Sequence, residues 1–176
     1  MKKPCLIFCM LMIAMAAPAF AGDNENGSGS WKKAPLVELI REATEPYRDP
    51  EEAKAAGYVA VDPWCISGPA GGATGVHFLN PTLIFDGVVS AETPEILVYE
   101  PTRKGGLRLV AVEYIVFAPG PVALEGHLMN LTGAPNRFGI PSPFLRLHVW
   151  AWERNPAGTF ADYNPNVSCD AQPLDP

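Results

Sequence analysis

Residues 107–117 read LRLVAVEYIVF, and this stretch decides the fold class. Apolar side chains occupy both sets of alternating positions, which is typical of a strand covered on both faces. We therefore predict that Leu107–Phe117 is the central strand of a β-sheet. Glu113 lies in its middle, where an ionised carboxylate needs an ion pair, a metal ion or a proton to offset the cost of burial. Its predicted neighbours on the same face are Leu109, Ala111, Ile115 and Phe117.

Other β-rich runs surround this strand and are separated by clusters of Pro, Gly, Asn and Asp. They are Tyr58–Val61, Val76–Leu79, Leu83–Val89, Ile96–Glu100, Val122–Leu128 and Phe144–Trp152. The glycine-containing segment 101–106 predicts an antiparallel hairpin between Ile96–Glu100 and the central strand. Residues 130–143 are rich in Pro, Gly and Asn, and we predict that they form a long irregular loop.

Two short helices are predicted before the first strand. The first ends before Pro46, and its apolar residues recur at helical spacing. These are Leu36, Leu39, Ile40 and Ala43. The second begins after Asp49, a predicted N-cap, and ends at Gly57. Helices followed by a run of strands predict an α+β domain, with two helices packed on a mostly antiparallel sheet that forms a sandwich or a partial barrel.

The beginning of the chain has the features of a bacterial secretion signal. Residues 1–21 start with Lys2 and Lys3, continue as an apolar run too short to span a bilayer comfortably, and finish with Ala-Phe-Ala. Residues 22–33 are polar and rich in glycine and serine, which predicts a flexible leader. Residues 34–176 then form a single globular domain. We expect an exported protein, periplasmic or secreted, whose mature chain has no membrane span.

Removal of the signal segment changes the charge and the cysteine count. The whole chain of 176 residues has 13 Lys and Arg against 19 Asp and Glu, a formal charge of −6. Without Lys2 and Lys3 the charge is −8, which makes nucleic acid a poor partner. Of the four cysteines only Cys65 and Cys169 remain, and in an oxidising compartment we predict that they form a disulfide. A reactive or metal-binding thiol pair is the alternative, disfavoured because no C-x-x-C spacing is present.

The last long strand carries an unusual set of side chains. Alternation along Phe144–Trp152 places Arg146, His148, Trp150 and Trp152 on one face. This mixture of aromatic, cationic and imidazole groups is typical of a pocket wall, so Arg146, Trp150 and Trp152 are candidate ligand-binding residues. Core packing is the alternative role for the two tryptophans. His77 follows a glycine-rich turn at 71–75, which allows a ligand or another strand to approach the backbone closely.

His77, Glu113 and His148 come from three different predicted strands. Two imidazoles and one carboxylate are the ligand set of facial-triad iron sites and of many zinc sites, so a divalent metal ion is a candidate cofactor. The alternatives are a metal-free polar pocket built from the same residues and an ordinary network of buried polar groups. No local pattern such as H-x-H or H-E-x-x-H links the three residues, and the sequence does not establish that they converge.

Three functional classes follow from these residues. The first is a binding domain for a small ligand or a metal ion. The second is a metal-dependent enzyme in which His77, Glu113 and His148 hold a metal ion that activates water. The third is a structural or protein-interaction module without a small-molecule site. The sequence does not specify the ligand, the reaction or the oligomeric state.

Several segments within residues 43–169 are distinctive. They include the helical lead-in 43–58, GVHFLNP at 75–81, PEILVYE at 94–100, VEY at 112–114, LHVWAW at 147–152 and FADYNPNVSC at 160–169. In these segments the chain resembles a family of small exported bacterial proteins with no known activity. The resemblance implies an exported location and supports the architecture given above, but it supplies no activity to assign.

Overall fold

The described structure begins at Trp31. It is a computed structural model that describes residues 31–61, 65–134, 136 and 140–172. The predicted signal segment 1–21 and the first part of the predicted leader lie outside the described residues. Trp31–Lys33 form a 3-10 turn in which the Trp31 side chain is buried, so the end of the segment assigned to the leader packs with the domain.

Two short helices precede the sheet, as predicted. Helix α1 spans Pro35–Thr44 and helix α2 spans Pro50–Ala55. The buried residues of α1 are Leu36, Val37, Ile40 and Thr44, whereas Leu39 is exposed, so the buried stripe is centred closer to Val37 than predicted. Asp49 caps α2, since its side chain accepts a hydrogen bond from the Glu51 N–H. In the described part of the chain no helix is long and apolar enough to cross a membrane.

Within the described ranges, seven strands form one antiparallel sheet and two more form a small hairpin. The strands are β1 Val59–Ala60, β2 Ile66–Ser67, β3 Ala73–Leu79, β4 Ile96–Thr102, β5 Gly106–Val116, β6 Ala123–Leu124, β7 His127–Leu128, β8 Asn130–Thr132 and β9 Phe144–Val149. The sheet order is β1-β3-β4-β5-β9-β8, β2 also pairs with β3, and β6 pairs with β7. The predicted α+β class is confirmed. The sheet is open, so the described residues form neither the sandwich nor the partial barrel.

Strand β5 is the centre of the sheet, as its sequence predicted. It pairs with β4 on one side and with β9 on the other, and Leu109–Val116 are all buried. Strands β4 and β5 form the predicted hairpin, whose turn contains Gly105 at φ +73°. One face of the sheet shares an apolar core with α1. The opposite face carries a second core, to which Val167 of the C-terminal tail contributes.

A β-bulge in β5 changes one predicted face. Val98 pairs with Ala111 and Tyr99 pairs with Leu109, so Val110 is an extra residue in β5. The extra residue turns Leu109 to the helix-covered face, while Ala111 remains on the opposite face. The prediction that Leu109 lies beside Glu113 is therefore wrong.

Three other predictions about strands and loops are also wrong. Leu83–Val89 forms turns and not a strand, because Asp86 accepts a hydrogen bond from the Val88 N–H and closes a turn. Val122–Leu128 is split into β6 and β7 by a turn at Glu125 and Gly126, which both have positive φ. The predicted loop 130–143 contains β8, which pairs with β9.

The predicted disulfide between Cys65 and Cys169 is present. It attaches the C-terminal tail near β2, and the tail also exchanges backbone hydrogen bonds with β3 through Asn164 and Ala73. The glycine-rich turn meets this tail: a Cβ at Gly72 would lie 2.3 Å from the Asn164 carbonyl oxygen. A Cβ at Gly75 would lie 2.5 Å from the carbonyl oxygen of Tyr99 in β4. The glycines therefore allow close approach of protein backbone.

Candidate functional site

His77, Glu113 and His148 converge on the sheet face opposite α1. Glu113 in β5 pairs directly with His148 in β9, and His77 projects from β3. The Nε2 atom of His77 lies 3.6 Å from Oε2 of Glu113. All three side chains are buried. The sequence identified these residues, and the strand register brings them together.

Arg146 is the charged partner of Glu113. Its Nη1 atom donates a hydrogen bond of 2.7 Å to Glu113 Oε1, and its Nη2 atom pairs with Asp162 of the tail. The exposed fraction of the side chain rises from 0% for Glu113 to 11% for Arg146 and 50% for Asp162. The Arg146 guanidinium thus links the buried Glu113 carboxylate to the half-exposed Asp162. Its positive charge compensates the buried negative charge of Glu113.

Burial and neighbouring charges shift the pKa values of this cluster in opposite directions. Burial alone would raise the pKa of the Glu113 carboxyl, but attraction to His77, His148 and Arg146, with the Arg146 hydrogen bond, lowers it below its ordinary value. Burial lowers the pKa of His148 to about 4, although Glu113 acts in the other direction. His148 is therefore neutral at neutral pH, and Arg146 is a permanent cation that compensates Glu113.

The arrangement does not support the predicted metal centre. Among the residues that the structure describes, no group of three or more His, Cys, Asp and Glu side chains could hold a metal ion. Arg146 hydrogen-bonds one oxygen of Glu113 and places a positive charge beside it, which opposes the binding of a second cation. The convergence of His77, Glu113 and His148 is consequently better described as a buried polar network.

This network has hydrogen-bonding capacity that the described residues do not use. Glu113 Oε2 and both ring nitrogens of His148 are buried and make no hydrogen bond among the described residues. The His148 ring packs against Trp150, with ring centroids 4.7 Å apart.

Trp150, a predicted ligand-binding residue, is a core residue. It is fully buried, and its indole N–H donates a hydrogen bond of 2.6 Å to the carbonyl oxygen of Ala161. Its position on the same face as His148 agrees with the predicted alternation. Complete burial leaves it no surface with which to contact a ligand in this conformation.

Trp152, another predicted ligand-binding residue, lies on the other side of the sheet. Its Nε1 atom donates a hydrogen bond of 3.0 Å to Thr44 Oγ1 of α1. The Arg41 guanidinium lies over its ring at 4.2 Å from the centroid. Strand β9 ends at Val149, so the alternation that predicted a face shared with Arg146 does not extend to Trp152.

A cavity of about 760 Å³ opens on the same face as His77. This volume lies within the range of roughly 300–1,000 Å³ that is typical of small-molecule sites. The central strands supply Leu79, Ile96 and Ile115 to its wall, and two connecting segments, 84–87 and 140–142, supply much of the remainder. The site therefore combines a rigid strand floor with walls from segments far apart in the sequence.

Two phenylalanines mark the edge of this cavity. The rings of Phe85 and Phe117 are stacked, with centroids 5.8 Å apart and an interplanar angle of 12°. Phe85 is 77% exposed although it lies against an apolar cavity. Sequence reasoning missed Phe85 as a site residue because it assigned Leu83–Val89 to a strand. The Asp-Gly pair inside that run was the available signal for a turn, in which apolar side chains do not alternate between two faces as they do in a strand.

Comparison of the chain with protein-family models, with curated proteins and with solved structures finds no match. The resemblance to small exported bacterial proteins accordingly stays a prediction. The functional argument rests on the cavity and on the polar network behind it.

Proposed function

We propose that this chain is an exported binding protein for a small, predominantly apolar ligand that occupies the cavity beside His77. The cavity carries the proposal, because it combines a volume of about 760 Å³ with walls made mainly of aliphatic and aromatic side chains. Apolar surface that stays in contact with water costs about 25 cal/mol per Å², and a bound apolar molecule recovers that free energy.

The edge of the cavity supports a ligand more than a packing defect. Phe85 and Val61 both line the cavity and are 77% and 58% exposed. Large apolar side chains gathered at the mouth of one cavity are a feature of binding sites, whereas scattered ones are ordinary. A ligand that bridges the mouth would cover both side chains.

The connection between β3 and β4, which contains Phe85, is attached to the protein core by two tyrosine hydroxyl groups. The Tyr58 hydroxyl donates a hydrogen bond of 2.7 Å to the Pro94 carbonyl oxygen, and the Tyr114 hydroxyl donates one of 2.8 Å to the Ala91 carbonyl oxygen. Both tyrosines belong to the apolar core that the sheet shares with α1, so the two bonds attach this connection to that core. Attachment of this connection limits its conformational freedom, and less freedom to lose lowers the entropic cost of binding.

The exported location in this proposal is supported by the signal pattern of residues 1–21 and by the disulfide. N-terminal sequencing of the protein recovered from the periplasm or the medium tests it. We expect a mature chain that begins at Gly22. Recovery of the intact chain in the cytoplasm would contradict the export part of the proposal and leave the binding part standing.

Ligand binding is tested with the uncharged fluorescent dye N-phenylnaphthylamine. The mature protein should increase the dye's fluorescence saturably, and Ile115→Trp, which fills the cavity floor, should weaken binding at least about tenfold. Ser142→Trp obstructs the same cavity from an exposed position and serves as a second variant that leaves the core intact.

The control is Leu131→Trp, which places the same side chain on an exposed position outside the cavity lining. We expect its dye binding to equal that of the parent. Near-UV circular dichroism and the Tm of each variant separate lost binding from lost folding. Absence of binding in the parent, or binding unaffected by both cavity variants, would refute the proposal.

A further inference from the structure

The described wall of the cavity is mainly apolar, and the inference drawn from it rests on the proposed function. Apart from His77, Gly87 and Ser142, every described residue that lines the cavity has a hydrocarbon side chain. No Lys, Arg, Asp or Glu is among these described lining residues. A ligand that enters therefore exchanges water for hydrocarbon over most of its surface.

His77 does not change this property. Only 6% of its side chain is exposed, and both of its ring nitrogens are buried. The surface that it contributes to the wall consequently comes from ring carbons. The described wall thus offers no exposed charged atom to a ligand.

The charges behind the wall do not favour an ionic ligand either. Glu113 and Arg146 neutralise each other, and Asp162 adds a second carboxylate to the same guanidinium. The three groups together carry a net negative charge, which disfavours an anion nearby. An entering cation would be attracted, but Glu113 is completely buried and is not among the described lining residues, so the described wall offers the cation no carboxylate to contact.

We infer that the ligand is uncharged, an aliphatic molecule of the class of long-chain alcohols, terpenoids or sterols. A fatty-acid anion or an alkylammonium ion would lose hydration on entry without gaining a compensating ion pair, and this loss weakens its binding relative to that of an uncharged molecule. The stacked rings of Phe85 and Phe117 at the edge contact the same hydrocarbon skeleton. Discrimination among ligands of equal chain length then depends on charge.

Three molecules with the same ten-carbon chain test this inference: decanol, decanoate and decylamine. Each is used below its micelle-forming concentration to displace N-phenylnaphthylamine from the mature protein at neutral pH, where the acid and the amine are ionised. We expect decanol to bind at least about tenfold more tightly than either ion.

Each other result overturns the inference in a recognisable way. Decanoate that binds as tightly as decanol, or no displacement by decanol, would show that an uncharged ligand is not preferred. Preferred binding of decylamine would point to Glu113 and would be lost in Glu113→Gln. These outcomes differ from failure of the proposed function, in which the dye itself does not bind or ignores Ile115→Trp.

A matched pair of variants at Ser142 tests whether charge sets the preference. Ser142 lines the cavity and is exposed, so Ser142→Lys adds a cation to the mouth without disturbing the core. We expect it to raise the affinity for decanoate toward that for decanol, whereas Ser142→Gln keeps the parental preference. An unchanged preference in Ser142→Lys would contradict the electrostatic basis of the inference.

Discussion

Replacement of Arg146 by Met should destabilise the protein strongly, because it removes the charged partner of a buried carboxylate. Glu113 is completely buried and accepts a hydrogen bond of 2.7 Å from Arg146. Methionine retains the apolar stem but leaves the carboxylate uncompensated. Removal of one partner from a buried pair costs about 3–5 kcal/mol, which for a domain of this size lowers the Tm by roughly 10–15 °C.

The pH dependence of this loss identifies its cause. In the parent the pKa of Glu113 lies below its ordinary value near 4.5, so its stabilising effect is present above that pH and is lost as the pH falls through the folded-state pKa. In Arg146→Met the effect of burial is no longer opposed by the guanidinium, and the pKa of Glu113 rises. The stability difference between parent and variant should therefore shrink on acidification.

Urea unfolding followed by tryptophan fluorescence at about pH 7 and about pH 4.5 measures both effects. Arg108→Met is the matched control, since Arg108 forms two ion pairs, with Glu100 and Glu153, but is 44% exposed. Arg108→Met should lower the free energy of unfolding by only about 0–1 kcal/mol. The double variant Glu113→Gln/Arg146→Met should recover part of the stability. A loss in Arg146→Met no larger than that of the control would refute the reasoning.

Three further changes test the structure elsewhere. Burial raises the pKa of Glu95 to about 7, so its contribution to stability is complete below about pH 4.5 and is lost as the pH rises to about 7. Glu95→Gln keeps an acceptor for the Ile115 N–H. It should remove about 3 kcal/mol of the pH dependence of the free energy of unfolding, measured by urea titration. An unchanged pH profile would contradict this prediction. Burial lowers the pKa of His148 to about 4, so stability present above about pH 6.5 is lost as the pH falls toward 4. His148→Phe should abolish about 3 kcal/mol of that acid-dependent loss, and retention of the parental acid profile would rule out this origin. Cys65→Ser/Cys169→Ser removes a link between residues 104 positions apart and should lower the free energy of unfolding by about 4–5 kcal/mol, whereas an unchanged urea midpoint would count against a stabilising disulfide.

The central strand shows how far local sequence information reaches. The pattern of Leu107–Phe117 predicted a strand covered on both faces, and the structure confirms it. The same pattern could not reveal the bulge at Val110, because a bulge depends on how β4 pairs with β5. Leu109 was consequently placed on the wrong face, although the identity and burial of the strand were correct.

The candidate site depended on register and on distant segments. The sequence required a compensating partner for Glu113 but left an ion pair, a metal ion and a proton as alternatives. The pairing of β5 with β9 sets Glu113 opposite His148 and brings the Arg146 guanidinium within hydrogen-bonding distance of the carboxylate. The cavity was not predicted, because its wall joins strands to turns whose positions are determined by tertiary packing.

Local sequence was sufficient to predict the two helices followed by a β-sheet, the start of α2 at the Asp49 cap and its end before Gly57, and the unfavourable position of Glu113 inside an apolar strand. These properties follow from local spacing and from the chemistry of single residues. Only the tertiary structure decided that Arg146 compensates that carboxylate and that Phe85 borders a cavity beside His77. Both properties depend on the register of the strands and on the packing of segments that lie far apart in the chain, and local sequence patterns do not determine either one.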